Sequence, residues 1–185
     1  MYSYMKGTIT SIEPTKITLE NHGIGYSIIT PNPFDFKVKN DVLIYLYQHV
    51  REDELTLYGF KTLKAKRLFI ELLSVKGIGP KSALAVLASA EVDEIVKAIE
   101  MSDTKYLHRF PGIGPKASQQ IVLDLKGKLN LNPVSQKESS TLSDVEDALR
   151  ALGYKTKEID RIIKKLDHKK PTATLIKDAL KLIAK

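Results

Sequence analysis

Two identical pentapeptides, Gly77-Ile78-Gly79-Pro80-Lys81 and Gly112-Ile113-Gly114-Pro115-Lys116, carry the residue types that hold a phosphate group. Each copy lies between apolar, helix-patterned runs, so each is expected to be a tight turn joining two helices. Glycines on either side of one aliphatic residue let the chain turn sharply and leave main-chain N–H groups unobstructed. The start of the next helix adds a partial positive charge, and Lys81 or Lys116 adds a full one. Nothing in such a turn reads a base edge, so the chemistry expected is a sequence-independent grip on phosphate oxygens.

Other glycine signatures fit less well. A dinucleotide fingerprint needs a third glycine in sixth place, where the first copy has Ser82 and the second Ala117, which that fingerprint tolerates. It also needs a preceding β-strand, whereas Leu63 to Val75 is helix-patterned. A Walker loop needs Gly-Lys-Ser/Thr after four intervening residues, and neither copy has it. A plain helix–helix turn with a glycine cap accounts for one copy equally well. Two identical turns, each ending in lysine, favour a shared ligand such as two phosphates. The pattern is a doubled helix-hairpin-helix.

The elements that must position these turns follow from periodicity. Leu68, Phe69, Leu72 and Leu73 make an apolar stripe ahead of the first turn, and Ala83, Leu84, Val86 and Leu87 follow it. A helix opened by Ser89 or Glu91 carries Val92, Ile95, Val96 and Ile99. Ser102-Asp103 caps a short helix with Tyr106, Leu107 and Phe110, and Ile121, Val122 and Leu125 continue beyond the second turn. Upstream, Met5–Ile12, Lys16–Glu20, Gly25–Thr30, Val42–Val50 and Leu55–Phe60 are rich in strand formers and separated by turn residues. Five short strands over residues 1–62 predict a small closed barrel of the OB type. Tyr26, Tyr45, Tyr47 and Tyr58 are expected to pack in its core or interface rather than to stack on bases.

Net charge is +7, which suits a polyanionic partner. Residues 1–62 carry six basic and seven acidic residues, whereas residues 63–131, which hold the turns, carry eleven and seven. A barrel-led RNA binder is disfavoured by that balance. Zero cysteines exclude disulfides and thiolate metal sites, and four scattered histidines offer no ligand cluster, so neither metal nor cofactor is expected. The polar start, Met1 to Met5, leads straight into a strand pattern, and no run reaches membrane-spanning length. Cytoplasmic residence without membrane contact is the expectation.

Residues 132–140, Asn-Pro-Val-Ser-Gln-Lys-Glu-Ser-Ser, have linker composition. Beyond them, residues 141–185 read as three short helices. Ser143 and Glu146 form a capping box, followed by Val145, Ala148, Leu149 and Leu152 at helical spacing. Gly153 stops that helix, Ile159, Ile162, Ile163 and Leu166 mark the next, and Thr172 opens the last. With no catalytic constellation, this block is expected to hold a partner protein. The overall class is therefore α+β and multidomain: barrel, tandem hairpin domain, linker and a three-helix, UBA-like module.

This order resembles the RuvA family, the junction-binding subunits of bacterial branch-migration motors. The resemblance rests on Val50-Arg51-Glu52-Asp53 with Leu57-Tyr58-Gly59-Phe60, on the two turns with Phe110-Pro111 before the second, and on Ala151-Leu152-Gly153-Tyr154. It implies a non-catalytic protein that binds four-way junction DNA as a homotetramer, or as an octamer on DNA. Gly77, Gly79, Lys81, Gly112, Gly114 and Lys116 would contact the DNA backbone. Glu52 and Asp53 would form an acidic pin at the crossover, a role that a solvated charged turn does not need. The last domain, through Leu149, Leu152 and Tyr154, would dock a RuvB-type hexameric ATPase, and a RuvC-type resolvase is a further partner within the family's range. Many relatives have a basic residue at Pro115 and arginine at Gln120, so the second turn departs from the family pattern.

A helix-hairpin-helix enzyme is the rival class. A glycosylase would need a nucleophile in a base pocket, and Asp124 lies on an ordinary amphipathic helix. A nuclease would need converging carboxylates, and Glu52-Asp53-Glu54 are consecutive on a tight turn.

Overall fold

The computed structural model describes residues 1–52, 54–129, 131, 141–154, 156–163, 166 and 171–183. The expected linker, 132–140, lies outside them. They form two compact units, Met1–Pro133 and Val134–Lys185.

In the first unit the β-branched runs become five strands: β1 (Tyr4–Ile12), β2 (Lys16–Asn21), β3 (Ile24–Ile29), β4 (Asp41–Val50) and β5 (Leu55–Phe60). They close into a barrel in the order β1-β2-β3-β5-β4, antiparallel throughout except for β3 against β5. Alternation along the strands turns Ile9, Ile17, Leu19, Ile28, Ile44 and Leu46 into a barrel core with Met5 and Phe36. Gly59 also faces inward, where a Cβ would come within 2.4 Å of the Ile28 side chain.

The opposite face of β5 serves a second core. Tyr58 and Phe60 point toward α1 (Leu63–Ser74), whose Phe69 meets Tyr47, Tyr58 and Phe60 at ring-centroid distances of 5.6, 5.2 and 4.9 Å. Tyr47 and Tyr58 are thus interface packing, and the barrel and the helical block share one continuous core. Phe69 is fully buried. Removing such a ring costs about 3–5 kcal/mol.

Thr62 caps α1 by accepting from the Ala65 N–H at 3.1 Å. The block continues with α2 (Pro80–Ser89), α3 (Val92–Glu100), α4 (Thr104–His108) and α5 (Pro115–Leu125). Glu91 occupies the cap position of α3, and the Asp103 carboxylate accepts from the Tyr106 N–H to start α4.

The second unit holds α6 (Thr141–Ala151), α7 (Thr156–Ile163) and α8 (Thr172–Ile183) around Val145, Leu149, Ile159, Leu175 and Ala179. Its first helix starts at Thr141, two residues before the expected cap, so Ser143 lies inside the first turn. The apolar stripe sets which face is buried but not where the first turn begins. At its other end Gly153, at φ +90°, lets its own N–H and that of Tyr154 reach back to the Arg150 and Leu149 carbonyls. Among the described residues, no helix is long and apolar enough to cross a membrane.

Candidate nucleic-acid interface

The two pentapeptides fold alike. Gly77 and Gly112 sit at φ +89° and +77°, a region costly for any side chain, and reverse the chain there. Ile78 and Ile113 are buried as the plug of each turn. Main-chain bonds repeat with an offset of 35 residues: Ile78 to Val75 and Ile113 to Phe110, both at 3.1 Å, then Ala83 to Gly79 at 3.0 Å and Ser118 to Gly114 at 2.9 Å.

Gly79 and Gly114 are a different case. They occupy the cap positions of α2 and α5 in ordinary extended backbone, φ −100° and −84°, and a Cβ on either would meet nothing within 4 Å. The fold itself tolerates a side chain at both. No side chain caps either helix, and Pro80 and Pro115 take the first helical position, where a missing N–H costs nothing. The N–H groups that follow therefore stay available to an outside acceptor, beside the partial charge of the helix start.

Lys81 and Lys116 are exposed one residue into each helix. Among the described residues, ion pairs engage Lys16, Lys61 and Lys64 and leave these two lysines without a carboxylate. Gln120, one turn into α5, donates to the Asp124 carboxylate at 2.9 Å and is directed along its own helix. Lys126 donates to the Ser102 hydroxyl at 2.7 Å, and Lys128 is exposed.

Two contacts at the second turn lie outside what periodicity and motif spacing record. Ser82, in the first turn of α2, packs so close to Gly112 that a Cβ there would lie 2.9 Å from its Oγ. His108, the last residue of α4, bonds the Ile113 carbonyl at 2.9 Å. Aligning the copies by their offset puts Leu73 opposite His108, and that mismatch is the one sequence signal that points to it.

The acidic segment closes the β4–β5 hairpin beyond the Val50–Leu55 pair, with the Arg51 N–H donating to the Glu54 carbonyl at 2.8 Å. Glu52 is exposed at the tip, Asp53 lies outside the described residues, and Glu54 accepts from the Thr56 hydroxyl at 2.6 Å. Burial first, and then the Glu54 carboxylate, hold the Tyr58 hydroxyl above the usual tyrosine range.

In the second unit the three residues expected at a partner surface separate. Leu149 is a correction: it is fully buried in the three-helix core and cannot reach a partner. Leu152 is 59% exposed just before the Gly153 stop, and Tyr154 is half-buried beside it. Helical spacing puts Leu149 and Leu152 on one stripe, but the helix ends between them.

Three family models match the chain: RuvA N terminal domain over residues 1–59, SAM-like Helix-hairpin-helix tandem over 69–127, and RuvA, C-terminal domain over 140–184. Proteins named Holliday junction branch migration complex subunit RuvA are similar over 100% of both chains: 45% identical in Acholeplasma laidlawii, 46% in Lactobacillus gasseri and 42% in Anoxybacillus flavithermus. The chain belongs to the RuvA family. The tandem model spans both glycine turns, and the RuvA N-terminal model spans the acidic hairpin and most of β5.

Proposed function

We propose that this RuvA-family chain is the non-catalytic subunit that holds a Holliday junction during branch migration, gripping DNA backbones through its two glycine turns. The observation that carries the reading is the pair Gly79 and Gly114. Glycine recurs at two cap positions where neither backbone angle nor packing calls for it, beside uncapped N–H groups and an unpaired lysine. Close approach of another backbone is the physical reason to omit a side chain there.

Gly77, Gly79 and Lys81 form one phosphate grip, and Gly112, Gly114 and Lys116 the other. Glu52 and Asp53 serve as electrostatic guides: carboxylates repel phosphates and keep strands apart where they exchange, without hydrolysing anything. The protein works as a homotetramer, or an octamer on DNA, in the cytoplasm. ATP-driven pumping comes from a RuvB-type hexameric partner docked on the C-terminal unit through Leu152 and Tyr154, with a RuvC-type resolvase as a further partner. The relatives' name, a branch migration complex subunit, supports a partner-dependent role.

Competition between a synthetic four-way junction and linear duplexes of unrelated sequence tests this directly. The junction should be preferred by more than tenfold, with indifference to sequence and a steep loss of affinity as salt rises. Equal affinity for both forms overturns the reading. Glu52→Gln with Asp53→Asn should leave junction binding intact or tighter, and loss of binding there removes the pin role.

A further inference from the structure

We infer that His108 is a positioning residue of the second hairpin, aiming the Gly114 N–H by holding the other end of its peptide unit. The inference rests on the reading of the hairpins as phosphate grips.

His108 Nδ1 lies 2.9 Å from the Ile113 carbonyl oxygen. A carbonyl only accepts, so Nδ1 carries the hydrogen and donates. The imidazolium also carries hydrogen on Nδ1, so the bond survives protonation of the ring. The Ile113 C=O and the Gly114 N–H belong to one planar trans peptide and point in opposite directions. Fixing the carbonyl against His108 therefore fixes the N–H pointing away from it, at the cap of α5. Charge drawn onto the bonded oxygen also makes that N–H a stronger donor.

Among the described residues, the first hairpin has no such brace. Its equivalent carbonyl belongs to Ile78, and the position equivalent to His108 is Leu73, a partly buried aliphatic with nothing to donate. Ser82 supports the second turn from the other side, packing on Gly112, whereas the space around Gly77 is open. The second turn is the better prepared of the two, in the same chain where Pro115 and Gln120 leave it with Lys116 as its one nearby cation on α5.

The test uses the full-length protein, a fluorescent four-way junction, and selective 15N labelling of its 10 glycines. His108→Leu installs the first hairpin's residue and should weaken junction binding about three- to tenfold, the scale of one lost hydrogen bond. The Gly114 amide proton should move upfield. Asparagine places an N–H close to where Nδ1 sits, so His108→Asn should recover most of the affinity and of the Gly114 shift. Parent affinity in His108→Leu overturns the inference, as does equal loss in both variants when both melt like the parent. Should His108→Leu not fold, His108→Asn decides alone: parent affinity with an unmoved Gly114 signal supports the brace, and loss of both in a folded protein overturns it. Lys81→Ala with Lys116→Ala separates the two levels. Unchanged binding there overturns the phosphate reading itself, whereas loss there beside an unaffected His108→Leu overturns only the positioning role.

Discussion

The first and second glycine turns have the same five residues and matching main-chain bonds, yet their surroundings differ. Gly77 has open space about it, with Leu73 at the position equivalent to His108; Gly112 is packed by Ser82, and Ile113 is tied to His108. The pentapeptide sets the path of the backbone. Residues outside it set how firmly that path is held. A motif search sees two equal sites, whereas the structure has a loosely supported turn and a braced one, with the brace in one case supplied by the other hairpin's own helix.

The largest expected effect tests whether the turns act as equals. Lys81→Ala and Lys116→Ala should each lower junction affinity about tenfold, and the double variant about a hundredfold, with the slope of log affinity against log salt falling by about 2 for each protomer on the DNA. Titration by anisotropy at several salt concentrations reads both quantities. An effect confined to one lysine breaks the equivalence.

Stability should separate the turns next. Alanine at Gly77 meets only the backbone penalty of a positive φ, about 1 kcal/mol, while alanine at Gly112 must also displace Ser82 and should cost about 2 kcal/mol. Denaturant unfolding measures the gap, and adding Ser82→Ala to Gly112→Ala should narrow it. A smaller effect, on binding alone, belongs to the cap glycines. Gly79→Ala and Gly114→Ala should melt like the parent and bind junction DNA about fivefold more weakly each, because the added methyl intrudes only on an approaching phosphate. A lower melting temperature with unchanged binding would make these glycines structural.

Much of this architecture was legible in residue order. β-branched runs marked the five strands, and helical spacing marked the α segments, because burial of one face imposes a period that a single sequence records. The turns were legible because glycine at a positive φ has few substitutes. What stayed hidden depends on contacts between distant segments. The stripe on α1 says that Phe69 is buried, but not that three barrel rings bury it. A side chain bonding a carbonyl five residues on, as His108 does, leaves no periodic mark. Leu149 and Leu152 share a stripe in sequence, and only the position of the Gly153 stop sends one inward and the other to solvent.

The ring cluster on Phe69 has a mechanical consequence. Tyr47, Tyr58 and Phe60 come from the same two strands that carry the acidic tip, and Phe69 lies on α1, the helix that leads into the first glycine elbow. Bending the barrel against the helices means parting three aromatic contacts, each worth about 0.5–1.5 kcal/mol beyond the area uncovered. Within the first unit, the span from tip to elbows thus behaves as a gauge of set length.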